Sequence, residues 1–313
     1  MPPNRDKVMK KIRKKIMKLL YTLLCFLLPF LLTAQSLEQK YARRGPFGTG
    51  CFEHISKDRA LKKYVVYYPL DLLETEEKKY PALVLCNGTG FPASKYPGVF
   101  RHLASWGFIV IGTEEGWSGK GNGAEQCMIA LLAFNRMKDS LLFDRVDLDH
   151  VGIAGHSQGG AGAFNGATRH KHSAYFKTIV SLSGTHQDLA ASWLMRCPYD
   201  PSLVSVPVFM TSTSNPYGWD ENRPGSKDPG ICNMDSMRRN REMIRSRHDV
   251  PVVIARIADK KRHHGHSLVD SLPYTVAWFR YWLMNDAEAG KAFFGSDPEL
   301  KRNPRWQDVE IVE

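Results

Sequence analysis

A serine, a histidine and a carboxylate, each correctly oriented, suffice to cleave an acyl bond. The chain offers all three. Ser157 lies in Gly155-His156-Ser157-Gln158-Gly159, directly after the apolar run 151–154 and before the small residues 160–163. That pattern is a strand, a sharp turn and a helix with serine at the apex. Such a turn holds the serine at positive φ and lifts its hydroxyl clear of the sheet, so both flanking positions must be glycine. A hydroxyl is a weak nucleophile and needs a base, normally a histidine that is itself oriented by an acid. At an elbow of this kind the acid follows the serine in the chain and the histidine comes last.

The histidine is expected after the last strand, where Arg262-His263-His264-Gly265-His266 follows the apolar run 252–257. His264 is the first choice, His266 the second and His263 the third. Such a cluster can also serve a metal, but partners at ligand spacing are not evident. The acid is expected after the run 206–210. Asn215 is nearest to it and Asp220 is the first carboxylate, with Asp228 and Asp188 as alternatives. Asparagine could orient an imidazole but could not stabilise its cation. Two backbone N–H groups must also face the oxyanion of a tetrahedral intermediate. Gln158 supplies one. The loop Asn87-Gly88-Thr89-Gly90-Phe91 supplies the other, placed at Thr89 with Gly90 as the alternative.

The elements that must carry these groups are legible as well. Short apolar runs at 64–68, 82–86, 108–112, 151–154, 178–182, 206–210 and 252–257 read as buried strands. Helical patterns at 96–106, 124–141, 160–170, 234–247 and 272–285 lie between them. Alternation of this kind predicts an α/β fold: a mostly parallel central sheet with helices on both faces and its chemistry at the carboxyl ends of the strands.

Length and composition allow one large domain over residues 35–313. Residues 5–18 are rich in Lys and Arg, residues 19–32 are apolar, and Thr33-Ala34 follow. This reads as a signal peptide over 1–34, with an uncleaved N-terminal anchor as the alternative, and implies a secreted or periplasmic protein that meets a membrane only through this segment. The whole chain has a net charge of +11, but residues 1–34 hold eight Lys/Arg against one acid, so the remainder is only +4 (35 basic, 31 acidic). That gives no case for nucleic-acid binding. Beyond the leader lie Cys51, Cys86, Cys127, Cys197 and Cys232; Cys197 and Cys232 flank a loop-rich stretch and form the expected pair if export oxidises them.

Four segments carry a resemblance: 82–91 with its Asn-Gly-Thr turn, 102–110, the Gly-His-Ser-Gln-Gly-Gly elbow, and the histidine loop leading to Val276-Ala277-Trp278-Phe279. The chain resembles the α/β-hydrolase superfamily, and within it the branch of bacterial poly(ethylene terephthalate) hydrolases, cutinase-like and dienelactone-hydrolase-like enzymes. The resemblance implies hydrolysis of carboxylic esters without cofactor or metal, on a small or polymeric ester. Two departures stand out. Asn215 occupies the place where the branch usually has aspartate. Thr185-His186-Gln187 stand where polyester hydrolases carry a substrate-contacting aromatic. Two other functions are compatible with the elbow. In an exported serine peptidase, Glu114-Glu115 would bind a peptide amino terminus; alternatively, the fold could be kept as a non-catalytic binding module.

Overall fold

The computed structural model describes residues 9–10, 13–18 and 35–313. Residues 19–34, the apolar part of the leader and its small-residue exit, lie outside the described residues. Of the N-terminal segment, 9–10 and 13–18 are helical. Among the described residues no helix is long and apolar enough to cross a membrane.

Leu37–Glu313 form one compact unit. Its nine strands are β1 (Thr49–Ile55), β2 (Lys63–Pro69), β3 (Tyr80–Cys86), β4 (Ile109–Thr113), β5 (Val146–His156), β6 (Phe176–Leu182), β7 (Val208–Thr213), β8 (Val252–Ile257) and β9 (Trp306–Val312). They form one sheet in the order β1-β2-β4-β3-β5-β6-β7-β8-β9. The six strands from β4 across to β8 are parallel; β2 pairs antiparallel with β4, β1 with β2, and β9 with β8. Helices α1 (Pro97–Ser105), α2 (Asn122–Arg136), α3 (Gln158–Arg169), α4 (Met234–Arg245) and α5 (Leu272–Met284) cover it. This is the α/β-hydrolase fold.

The central strands are apolar on both faces because both faces are covered. Val252 and Ile254 of β8 enter one core with Ile153, Met128 and Phe164. Val253, Ala255 and Ile257 enter the other, with Phe209, Trp278 and Phe100. Trp278, fully buried in α5, donates its indole N–H to Thr178 Oγ1 at 2.6 Å, so a large apolar ring is buried without orphaning its polar atom.

The seven apolar runs all become strands; 252–257 keeps both its ends and the other six shift at one end or both. The run read at 206–210 forms β7 over Val208–Thr213, so Thr211–Thr213 belong to the strand and the loop behind it starts at Ser214. The helix read at 124–141 ends at Arg136, where Met137 turns to extended backbone. The edge strands β1 and β9 carry no long apolar run. β1 is exposed or half-buried throughout and β9 is half-buried along most of its length, so burial imposes no such pattern on either. The expected Cys197–Cys232 pair does not form. Both residues are buried free thiols, and burial holds the Cys232 thiol well above its ordinary pKa. Cys197 instead packs towards Gly119 and Gln158: a Cβ on Gly119 would meet its sulfur at 2.6 Å and Gln158 Cγ at 2.8 Å.

Candidate active site

β5 ends at His156, α3 begins at Gln158, and Ser157 stands between them at φ 59, ψ −126. The glycines around it are required by contact. A Cβ on Gly155 would lie 1.8 Å from the Gly159 carbonyl oxygen, and one on Gly159 would lie 2.2 Å from the Cys86 oxygen and 2.6 Å from that of Asn87. All of these obstacles are backbone, which cannot swing aside. Gly159→Ala should therefore destabilise the fold by about 3 kcal/mol, at the upper end for overpacking. Urea denaturation would measure it; a midpoint equal to wild type would refute the steric account.

His264 opens a short 3₁₀ turn, His264–His266, after β8. Its N–H donates to Gly218 O at 2.8 Å, and its carbonyl accepts from Ser267 Oγ at 2.8 Å. Its Nδ1 lies 2.6 Å from Asp220 Oδ1. Asp220 is fully buried, and its other oxygen accepts from Ser183 Oγ at 2.5 Å, Thr213 N at 2.9 Å and Thr213 Oγ1 at 3.0 Å. The neighbouring Glu221 pairs with Arg256 of β8, which also pairs with Asp308 of β9. The carboxylate thus has four donors around it and a loop tied to the sheet.

The other residues considered from the sequence are placed elsewhere. Asn215 Oδ1 accepts from Tyr217 N at 2.9 Å, within the turn that precedes Asp220. Asp228 accepts from Gly230 N at 3.0 Å, and Asp188 pairs with Arg239 at 3.2 Å. His266 Nδ1 accepts from His263 N at 3.0 Å, closing the turn beside His264. Among the described residues His264 Nε2 is buried with no hydrogen-bond partner. It is the ring atom left to take a proton from a serine hydroxyl, a bond that commonly tightens only when substrate arrives. His156 joins the two parts: it precedes Ser157 in the chain, and its ring centroid is 4.8 Å from that of His264.

Gln158 is the first residue of α3, where an N–H has no acceptor within its own helix. Its side chain accepts from Ser118 N at 3.1 Å, and Ser118 Oγ in turn donates to Asn87 O at 2.5 Å. The elbow and the loop after β3 are thereby locked together. In that loop Gly90 N is occupied by Gly116 O at 3.0 Å, whereas among the described residues the Thr89 N–H has no acceptor. Of the two positions considered, Thr89 is the one free to donate. Sequence reasoning missed Ser183, Thr213 and Ser118; a hydroxyl residue at a strand end carries no signal of which atom it will meet.

Six large apolar side chains on the loops next to this region are more than half exposed: Phe91, Trp117, Trp193, Leu194, Tyr217 and Trp219. Phe91 lies two residues beyond Thr89. Trp117 precedes Ser118, and Leu194 precedes Met195, whose sulfur is 3.8 Å from Gln158 Nε2. Tyr217 and Trp219 flank Gly218, the acceptor for His264 N. Every one therefore sits on a loop bonded to a site residue.

The paired glutamates are both committed. Glu114 accepts from Ser94 N and Oγ at 2.7 and 2.8 Å. Glu115 is 7% exposed and lies against α2, where a Cβ on Gly123 would meet its Oε1. Burial pushes its carboxyl up to about 7, with a Thr113 hydrogen bond opposing. The folded protein therefore keeps a proton that the unfolded chain releases near pH 4.5. Stability from this group is complete below that pH and is lost as pH rises to about 7, by at most about 3 kcal/mol. Glu115→Gln should raise the melting temperature relative to wild type at pH 8 but not at pH 4.5. A difference independent of pH would show that Glu115 titrates normally.

Among the described residues no group of His, Cys, Asp and Glu could hold a metal ion. A family model described as Chlorophyllase matches residues 53–186. The match runs from β1 through Thr89 and the elbow and stops before Asp220 and His264. No curated protein matches the chain.

Proposed function

From its place in the α/β-hydrolase superfamily, we propose that this protein is an exported serine esterase. The observation that carries the reading is the buried Asp220–His264 pair, with the free Nε2 of His264 beside the Ser157 elbow. The match to an esterase-type family over the elbow supports it. The basic and apolar leader supports export to the periplasm or beyond.

Ser157 Oγ attacks the ester carbonyl carbon while His264 Nε2 takes its proton. Asp220 holds the Nδ1–H and stabilises the imidazolium. The Thr89 and Gln158 amides receive the oxyanion, whose charge is greatest in the transition state, so they favour it over the bound ester. The intermediate collapses, His264 protonates the departing alcohol, and an acyl-serine remains. Water, deprotonated by His264, attacks that acyl group, and the acid leaves with Ser157 restored. The apolar rim supports esters with an apolar acyl or alcohol part over highly charged ones.

The test uses residues 35–313 with p-nitrophenyl acetate, butyrate and octanoate and a fluorophosphonate probe. Turnover together with one probe adduct, mapped to Ser157, is expected. Adduct formation with cleavage of aminoacyl anilides but not esters would make it a peptidase. Neither turnover nor adduct would leave a binding module.

A further inference from the structure

We propose that His156, the residue before the nucleophile, is a positioning residue that clamps the histidine loop to the elbow and so sets where His264 stands over Ser157. This rests on the esterase reading above.

His156 Nε2 lies 3.1 Å from the carbonyl oxygen of His264, across 108 residues of chain. A carbonyl only accepts, so Nε2 carries the hydrogen and Nδ1 is bare. Among the described residues that Nδ1 is buried without a partner. Burial, and then the charge of His264, pull the His156 pKa down to about 4, so the ring stays neutral at the pH where His264 must act as a base. It stacks obliquely on His264, with ring planes at 38°.

Three other bonds hold the His264 backbone, one from His264 N to the Gly218 carbonyl and two, from Ser267 N and Ser267 Oγ, to the His264 carbonyl. None of them reaches the elbow. Asp220 fixes how the His264 ring is turned, but it belongs to the loop after β7. The His156 bond alone among these runs from the nucleophile's own turn to the base's own backbone. A proton transfer from Ser157 to His264 depends on the separation of those two turns. A misplacement of about 1 Å in such a contact lowers the rate roughly 100-fold.

The variants that isolate the donor are His156→Gln and His156→Met. They match in length and shape, and only glutamine can place an N–H where Nε2 stood. With p-nitrophenyl butyrate, His156→Gln should keep kcat within about threefold of wild type. His156→Met should lose kcat roughly 10- to 100-fold with KM within about twofold, because the bond positions the base and does not hold substrate. The fluorophosphonate labelling rate should fall in step, since it uses the same Ser157–His264 pair. Thermal melts separate this from misfolding, and His156→Asn, too short to reach, replaces methionine if that protein does not fold. Equal kcat in the glutamine and donor-less variants, or a change in KM alone, overturns the proposal. Wild-type protein without ester turnover, or Ser157→Ala protein that keeps it, removes the esterase reading and this role with it. Normal behaviour of those two beside equal His156 variants removes only the role.

Discussion

Ser157→Ala should lower kcat for p-nitrophenyl butyrate by on the order of 10⁴-fold or more, with the fold unchanged. The hydroxyl is the only atom removed, and the elbow keeps its backbone bonds: Ser157 N to Leu182 O at 3.0 Å, and Thr185 N to Ser157 O at 3.0 Å. Neither hydroxyl of the next loop takes its place: Ser183 Oγ is spent on Asp220, and among the described residues Thr185 Oγ1 has no hydrogen-bond partner and so no base to activate it. What survives is the binding and oxyanion contribution, which other serine hydrolases show to be small beside the covalent route. Steady-state assays beside a thermal melt decide it. An alanine protein that folds and retains more than about a tenth of the activity would exclude an acyl-serine.

Asp220→Asn should be nearly as severe, on the order of 10³- to 10⁴-fold in kcat. The reason lies in the donors around the carboxylate. Oδ2 receives Ser183 Oγ, Thr213 N and Thr213 Oγ1. An amide NH₂ cannot face three donors, so the asparagine turns its oxygen that way and its NH₂ toward His264. Nδ1 of His264 must then accept, and the ring proton moves to Nε2, the atom that should receive the serine proton. The base is present but in the wrong tautomer. The variant should melt close to wild type, because most of its hydrogen bonds survive. A loss under about tenfold would mean that another group orients His264 and would reopen the choice of acid.

Much of this site could be read from the sequence, and the limits have physical causes. The elbow was legible because contact forces its glycines: no other residue fits beside the Gly159 and Cys86 carbonyls. The central strands were legible because burial on both faces demands unbroken apolar runs. The edge strands β1 and β9 lack that demand. The sequence leaves the acid open because β7 runs on to Thr213 and the chain then turns through Asn215–Gly218. That turn, with Trp219 at φ 79, brings a more distant residue back against the strand end. Asn215, nearer in sequence, serves the turn itself. The three histidines differ only in which way the 3₁₀ turn points them, and no pattern of residue types encodes that direction. The polyester-hydrolase branch rested on short segments, and the family match, which belongs to a different family name, adds nothing to it.

The backbone at Ser157 sets a limit on how stable this protein can become. At φ 59 and ψ −126 a side chain is held where only glycine is at ease, at about 1–3 kcal/mol. A glycine in its place would relax that conformation and remove the proposed nucleophile. On the esterase reading, one of the simplest stabilising exchanges open to the chain is therefore one that silences it. Lineages that lose the need for the chemistry have a downhill path to a sturdier, inert relative, whereas those that retain it must find their extra stability elsewhere in the fold.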